Sequence, residues 1–413
     1  MEVSGHIWPG LLEMTMNAFV TDLSGRTRTS AHSFSEMAVS TRVEQFIAAN
    51  QFDKPTLVLD TDVVERNFLA LRAGLGHARI HYAVKANPDR AILSRLVALG
   101  SGFDAASRGE IEQCLALGAA PQDISFGNTV KRASDIAFAH GAGIDLFAAD
   151  AEEELEKIAE HAPAAQVYIR LIVDASEADW PLSRKFGCAR DKAIALLDMA
   201  RELGLKPVGF SFHVGSQTRK SSMWRTTLDQ IAEIWAEALR AGHALSLLNI
   251  GGGFPAFYGD AIEDPTSYAA SVMDEIAQRF GPVAHIMAEP GRGLVAEAGA
   301  IAAEVLLVSR KSDNDMHRWV YLDIGKFSGL AETIDEAIRY QFITGRDHEQ
   351  TGPCILAGPS CDSADVLYEK RPVNLPLGLR SGDKVIIRNC GAYTSTYSSV
   401  GFNGFPPLDV VVI

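Results

Sequence analysis

The 413-residue chain has only five cysteines, Cys114, Cys188, Cys354, Cys361 and Cys390, and no two of them form a CxxC pair. Scattered and odd in number, they argue against a disulfide framework and a structural zinc site and point to a reducing cytoplasm. No metal is expected. No apolar run reaches the ~20 residues needed to cross a bilayer. The N-terminus carries Glu2 and no basic segment ahead of an apolar one, so neither a membrane span nor a secretory signal is expected. Basic residues are in the minority, 38 Lys and Arg against 52 Asp and Glu, for a formal net charge of -14. With no Lys/Arg-rich block to follow a phosphate backbone, nucleic acid is not an expected partner.

What is present is the composition of an ordinary globular enzyme. At 47% hydrophobic and 22% charged residues, the chain can bury one large core and a smaller second one. Residues 1–55, rich at first in Ser, Thr and Met, read as an N-terminal extension, weakly structured or partly packed on the β domain. From Ile80 one unit recurs: "IHYAVKAN", "GFDAAS", "ISFGN", "LFAAD", "VYIRL", "GFSFHVGS", "LLNIGGGF" and "HIMAEPGR". Between these runs lie segments such as "RAILSRLVALG" and "EEELEKIAEHA", whose apolar residues recur at helical spacing. Eight strand–helix units over residues 56–300 predict a TIM (β/α)8 barrel. Beyond residue 301 strand-like runs dominate, among them "IAAEVLLVSRK", "CILAGPS" and "LDVVVI", so residues 301–413 read as a C-terminal β-barrel or sandwich domain, with "TLVLD" (Thr56 to Asp60) a candidate added strand. A doubly wound sheet is the alternative. It leaves unexplained why polar residues gather at the C-terminal ends of so many strands.

In a TIM barrel those ends form the active-site face. Lys85, Asp104, Asn128, Arg170, His213, Gly251, Gly252, Gly253, Glu289 and Arg292 would converge there. Singly, each has a plainer explanation: Lys85 as a solvated strand end, His213 as a core histidine, the glycines as a flexible loop, Glu289 and Arg292 as a local ion pair. Together they describe a cradle for a phosphorylated aldehyde. Three successive glycines let backbone N–H groups approach a phosphate, and Ser216, Arg292 and Tyr393 can add hydroxyls and a charge. Lys85, partly desolvated and so favoured as the neutral amine, would take the aldehyde as an imine. His213 would stack on an aromatic ring and Glu289 would hold the ring nitrogen's proton, an arrangement suited to pyridoxal phosphate.

From Pro55 onward the chain resembles the fold-type III pyridoxal-phosphate decarboxylases, within them the ornithine decarboxylase group and particularly its bacterial members. The motifs are "YAVKAN", "GFDAASRGEI", "SFHVGSQ", "GGGFP", "EPGRG", "GPSCDSADVL" and "GAYTSTYSSVGFNGF". The resemblance implies that Lys85 is the Schiff-base lysine, His213 the stacking residue and Glu289 the partner of the pyridine nitrogen. It implies a phosphate site from Ser216, Gly251 to Gly253, Gly291, Arg292 and Tyr393, with Asp104 and Arg170 close to the cofactor and Phe402 at the site's edge. It further implies a homodimer in which "PSCDSAD" enters the neighbouring subunit's site: Cys361 protonates the α-carbon, Asp362 meets the substrate's distal amine, and Lys185 and Asp365 pair across the interface.

The chain departs from the eukaryotic-type pattern at "YLDIGKF", where Ile324 replaces an aspartate that binds the distal amine. Glu332 and Asp323 are the nearby carboxylates that could supply the charge. The expected activity is decarboxylation of a basic L-amino acid, ornithine to putrescine before lysine to cadaverine. Diaminopimelate decarboxylase is the alternative enzyme, and a protein that only binds pyridoxal phosphate the non-enzymatic one. Racemases of this fold place an arginine at the ring nitrogen, so Glu289 argues against them.

Overall fold

The structure, a computed structural model, describes residues 41–173 and 185–413. The first forty residues of the expected N-terminal extension lie outside the described residues. Helix α1 (Thr41–Ala49) and strand β1 (Thr56–Leu59) come first, and α2 (Thr61–Leu75) leads into a repeat. The repeat's strands are β2 (Arg79–Ala83), β3 (Gly102–Ala105), β4 (Ile124–Phe126), β5 (Leu146–Ala149), β6 (Gln166–Arg170), β7 (Lys206–Ser211), β8 (Leu247–Asn249) and β9 (His285–Ala288). Each pairs in parallel with the next, and β9 pairs with β2 to close the barrel. Seven helices connect them in turn: α3 (Arg90–Ala98), α4 (Arg108–Ala116), α5 (Ala133–Gly141), α6 (Glu152–His161), α7 (Arg190–Glu202), α8 (Arg225–Arg240) and α9 (Pro265–Phe280). These are the eight strands that the sequence repeat predicts.

The alternation of residues along each strand separates two layers. Phe103, Phe126, Phe147 and Phe210 point outward and are buried in the main core under the helices. Their neighbours Asp104, Ser125, Ala148 and Ser211 point into the barrel. There Ala148, Tyr168, Leu247 and Met287 form a separate buried cluster, while the C-terminal ends carry the polar groups. Helix starts are held locally. Ser107 accepts the Glu110 N–H at 3.3 Å, and the Glu110 carboxylate turns back to the Ala106 N–H, one residue before the cap, at 2.6 Å, a reciprocal pair like a capping box that fixes the β3–α4 turn beside Asp104.

A short helix, α10 (Arg292–Val295), ends the barrel. The second domain is a mixed sheet of β10 (Gly299–Ser309), β11 (Arg318–Leu322), β12 (Phe342–Thr344), β13 (Thr351–Ala357), β14 (Val373–Pro376), β15 (Lys384–Ile387) and β16 (Asp409–Val412). Its main path runs β12-β15-β10-β11-β13-β14, and β1 joins it antiparallel to β10 and parallel to β16. Val43 and Ile47 of α1 pack on Val58, Ala300, Ala302 and Ile386 of this sheet. Among the described residues no helix is long and apolar enough to cross a membrane, and no cluster of metal-ligating side chains occurs.

Candidate active site

Lys85 lies in a single 3-10 turn directly after β2, and its side chain opens into a pocket at the C-terminal mouth of the barrel. The same pocket is lined by Ala83, His213, Ser216, Gly252, Gly253, Phe254, Glu289, Gly291, Arg292 and Tyr393. The ends of β2, β7, β8 and β9 thus converge as the sequence expects. Tyr393 comes from the sheet domain. Its backbone is left-handed (φ 54°), and its N–H donates to Ala86 O at 2.8 Å, so the phenol is delivered beside Lys85.

The glycines are required by close approach. Gly251 (φ 66°) turns back over Phe212, where any Cβ would strike the Phe212 carbonyl oxygen. A Cβ on Gly252 would stand 2.9 Å from both Glu289 O and His213 Nε2. Below the loop Phe212, Trp224, Phe254 and Tyr268 pack in sequence with ring centroids 6.3, 5.7 and 6.0 Å apart. Each such aromatic pair is worth about 0.5–1.5 kcal/mol beyond its buried area, which gives the loop a rigid floor.

Charge is arranged around the amine. Lys85 Nζ stands 3.6 Å from Asp104 Oδ2. Burial works against its charge, but the Asp104, Tyr393 and Glu289 groups outweigh burial and hold the pKa above the ordinary lysine value. This corrects the sequence expectation of a neutral amine, which counted desolvation but not the carboxylates facing it. Burial, then the nearby Asp104 carboxylate, pushes Glu289 up to about 8. Burial, Arg170 and Lys85 push His213 down to about 3, so the imidazole is neutral and its Nδ1 accepts the Gly215 N–H at 3.1 Å. Arg170 contributes charge without lining the pocket, its guanidinium resting 5.1 Å from the Phe186 ring.

Asp104 is 4% exposed, and its Oδ1 has no hydrogen-bond partner among the described residues. The carboxylate fits only because residue 127 is glycine, since a Cβ there would collide with Oδ1. Gly127→Ala should displace Asp104 and weaken cofactor binding by about 10- to 100-fold, the usual effect of losing one hydrogen bond to a charged group. Absorbance titration with pyridoxal phosphate measures this, and unchanged affinity would show that the Asp104 carboxylate is dispensable.

Several predicted residues stand elsewhere. Asn128 ties two loops together, donating to Ala106 O and accepting from Val130 N. Arg292 pairs with Glu332 and not with Glu289. Glu332 therefore is not free to meet a distal amine, because both of its oxygens are occupied by the guanidinium. Asp323 lines a separate cavity on the sheet domain with Phe52, Glu304 and Phe405, and it accepts the Glu304 N–H at 2.8 Å. Ile324 is fully buried.

Cys361 is exposed on the sheet domain, its N–H held by Asn403 Oδ1 at 3.0 Å, while Asp362 accepts the Ala364 N–H at 2.8 Å. Neither lines the Lys85 pocket of its own chain. Phe402 packs beside them with its ring tilted against that of Phe327, centroids 4.8 Å apart. Asp365, 3% exposed, is used within its own chain, accepting from Lys326 N at 2.7 Å and Ser360 Oγ at 2.7 Å, and exposed Lys185 rests 4.9 Å from the Phe186 ring.

Asn249 was not singled out by the sequence. Its Nδ2 donates to Glu289 Oε1 at 2.5 Å and its Oδ1 accepts the Gly251 N–H at 2.9 Å, so one side chain joins the acid to the glycine loop. The signal was available, because strand alternation turns position 249 to the same side as Leu247, into the barrel. Tyr258, which bonds Arg292 at 3.1 Å, carried no such signal.

An amine, a neutral imidazole, a half-buried acid and a glycine cradle with hydroxyls form a donor set that fits pyridoxal phosphate. Residues 61–296 match the family model "Pyridoxal-dependent decarboxylase, pyridoxal binding domain". The chain belongs to this family. It is 33% identical to an ornithine decarboxylase of Schizosaccharomyces pombe over 86% of this chain and 82% of that one. It is also 33% identical to a lysine/ornithine decarboxylase of Selenomonas ruminantium, over 86% and 89%. The solved lysine/ornithine decarboxylase of Vibrio vulnificus, complexed with cadaverine, superposes with a TM-score of 0.80 at 31% identity, covering 91% of this chain and 99% of that one. The protein is a pyridoxal-phosphate-dependent amino-acid decarboxylase with a TIM barrel and a C-terminal β domain.

Proposed function

We propose that this decarboxylase converts L-ornithine to putrescine and carbon dioxide, takes L-lysine to cadaverine as a second substrate, and works as a cytoplasmic homodimer with shared active sites. Pyridoxal phosphate, when bound, supplies an electron sink for the pair left on the α-carbon as carbon dioxide departs. Lys85 would provide the amine that holds the cofactor covalently, and Asp104 is a carboxylate at ion-pair distance that could take the proton this charged amine must lose first. His213, neutral and lining the pocket, would offer a flat, uncharged face to the cofactor's ring. Glu289 would hold the ring nitrogen's proton: desolvation and the nearby Asp104 carboxylate make its own ionisation costly, and a protonated ring nitrogen would offset that cost. Asn249 keeps the carboxylate aimed. Ser216, Gly251 to Gly253, Gly291 and Tyr393 would hold the phosphate, with Arg292 behind them bonded to Ser216, and Arg170 would set the local charge.

Cys361 supports the shared site: it is exposed and does not line its own chain's pocket, as a group serving a neighbouring subunit would be placed. In that arrangement its thiol hands a proton to the α-carbon and Asp362 beside it meets the distal ammonium, with Phe402 at the edge. Asp362 is the favoured carboxylate because Glu332 is occupied by Arg292 and Asp323 faces another cavity. The relatives named for ornithine and lysine support a substrate with a terminal ammonium.

Carbon dioxide release from ornithine, lysine and diaminopimelate in one panel tests the substrate. Ornithine and lysine should exceed diaminopimelate in kcat/KM by about tenfold or more, since a second carboxylate beside Asp362 is repelled. Best turnover of diaminopimelate would overturn the diamine-forming reading and leave the cofactor chemistry standing.

A further inference from the structure

Arg292 is buried, and all five of its N–H hydrogens are already engaged by this chain. Nε and Nη2 each donate to Ser216 Oγ at 3.2 Å, and Nη1 donates to the Tyr258 hydroxyl at 3.1 Å. Nη1 and Nη2 also grip the Glu332 carboxylate at 2.7 and 2.5 Å, the fork geometry of the strongest ion pairs. The rings of Tyr258 and Tyr393 lie 5.8 and 5.0 Å from the guanidinium. Glu332, only 5% exposed, arrives from the sheet domain on a short 3-10 segment after β11. A carboxylate is an unexpected neighbour for the arginine of an anion site, because it cancels the charge that would draw the anion in.

We propose that Glu332 is a positioning and selectivity residue of the phosphate end, acting through Arg292. It keeps the guanidinium neutralised and fixed on Ser216. Because Ser216 Oγ already accepts two N–H groups, its own hydroxyl hydrogen is left to point at an anion. The cofactor's phosphate is then held by hydroxyl and backbone donors against an ion pair of zero net charge. Inorganic phosphate, which shares the anionic head but lacks the ring and the aldehyde, gains little from such a site and competes poorly. The inference rests on the reading of Ser216, Gly251 to Gly253 and Arg292 as the phosphate end.

The test is competition between inorganic phosphate and pyridoxal phosphate for the full chain freed of cofactor, followed by cofactor absorbance. Glu332→Gln keeps a similar shape but leaves Arg292 with an uncompensated charge. It should lower the inorganic phosphate needed for half-competition by about tenfold. Glu332→Asp, whose carboxylate falls a methylene short, should shift it the same way by about threefold. A lower melting temperature with unchanged or weakened phosphate competition would show a merely structural role and overturn the proposal. Should the Gln variant not fold, the Asp variant decides by the same criterion. Arg292→Met should weaken phosphate competition; if it does not, the phosphate end itself has been misread and the proposal falls with it.

Discussion

Lys85→Ala should lose turnover by roughly four orders of magnitude or more and release the cofactor to dialysis, because no other side chain in the pocket offers an amine. The surroundings make the loss specific. Asp104, Tyr393 and Glu289 bias that one position toward a cation, and without it the repulsion between the Asp104 and Glu289 carboxylates loses the charge that offsets it. Borohydride reduction of the wild type, followed by peptide mapping, should place a pyridoxyl group on Lys85, and a label on another lysine would refute the assignment. The same variant probes the shared site. If Cys361 serves the neighbouring subunit, mixing Lys85→Ala with Cys361→Ala chains should restore up to about a quarter of wild-type activity, since half of randomly formed dimers are hybrids with one intact site. No recovery in verified hybrids would place both residues in one chain's site.

Asp362→Ala should raise KM sharply for ornithine and lysine while cofactor binding stays near wild type. A cationic amine in a partly desolvated pocket needs an anionic partner, and losing it costs about 2–5 kcal/mol, or roughly 30-fold to several thousand-fold. The structure concentrates the expectation on this residue. Ile324 is apolar and buried, Glu332 is bound to Arg292, and Asp323 belongs to a different cavity, where burial raises its pKa to about 6. Steady-state kinetics of the variant give the answer, and an unchanged KM would remove Asp362 from the substrate's distal end.

The sequence by itself determined the barrel and most of its mouth. Strand and helix periods are local, and each strand ends where an apolar run gives way to a polar residue. Lys85, His213, the Gly251 to Gly253 run and Glu289 were therefore legible as the last inward positions of their strands, and the tertiary structure gathers all of them except Gly251 into the lining of one pocket. Asn249 was legible by the same alternation and overlooked. The tertiary structure alone decided which charges meet. Glu332 and Arg292 are 40 positions apart and in different domains, and only the docking of sheet on barrel sets one on the other. Asp323 and Ile324 are adjacent in sequence, yet the chain leaving β11 turns one into a surface cavity and the other into the core. The charge of Lys85 likewise depends on three groups from β3, β9 and the sheet domain. Periodicity is a property of neighbours along the chain, whereas ion pairing falls off with distance through space, so the elements could be read in advance and their electrostatic partners could not.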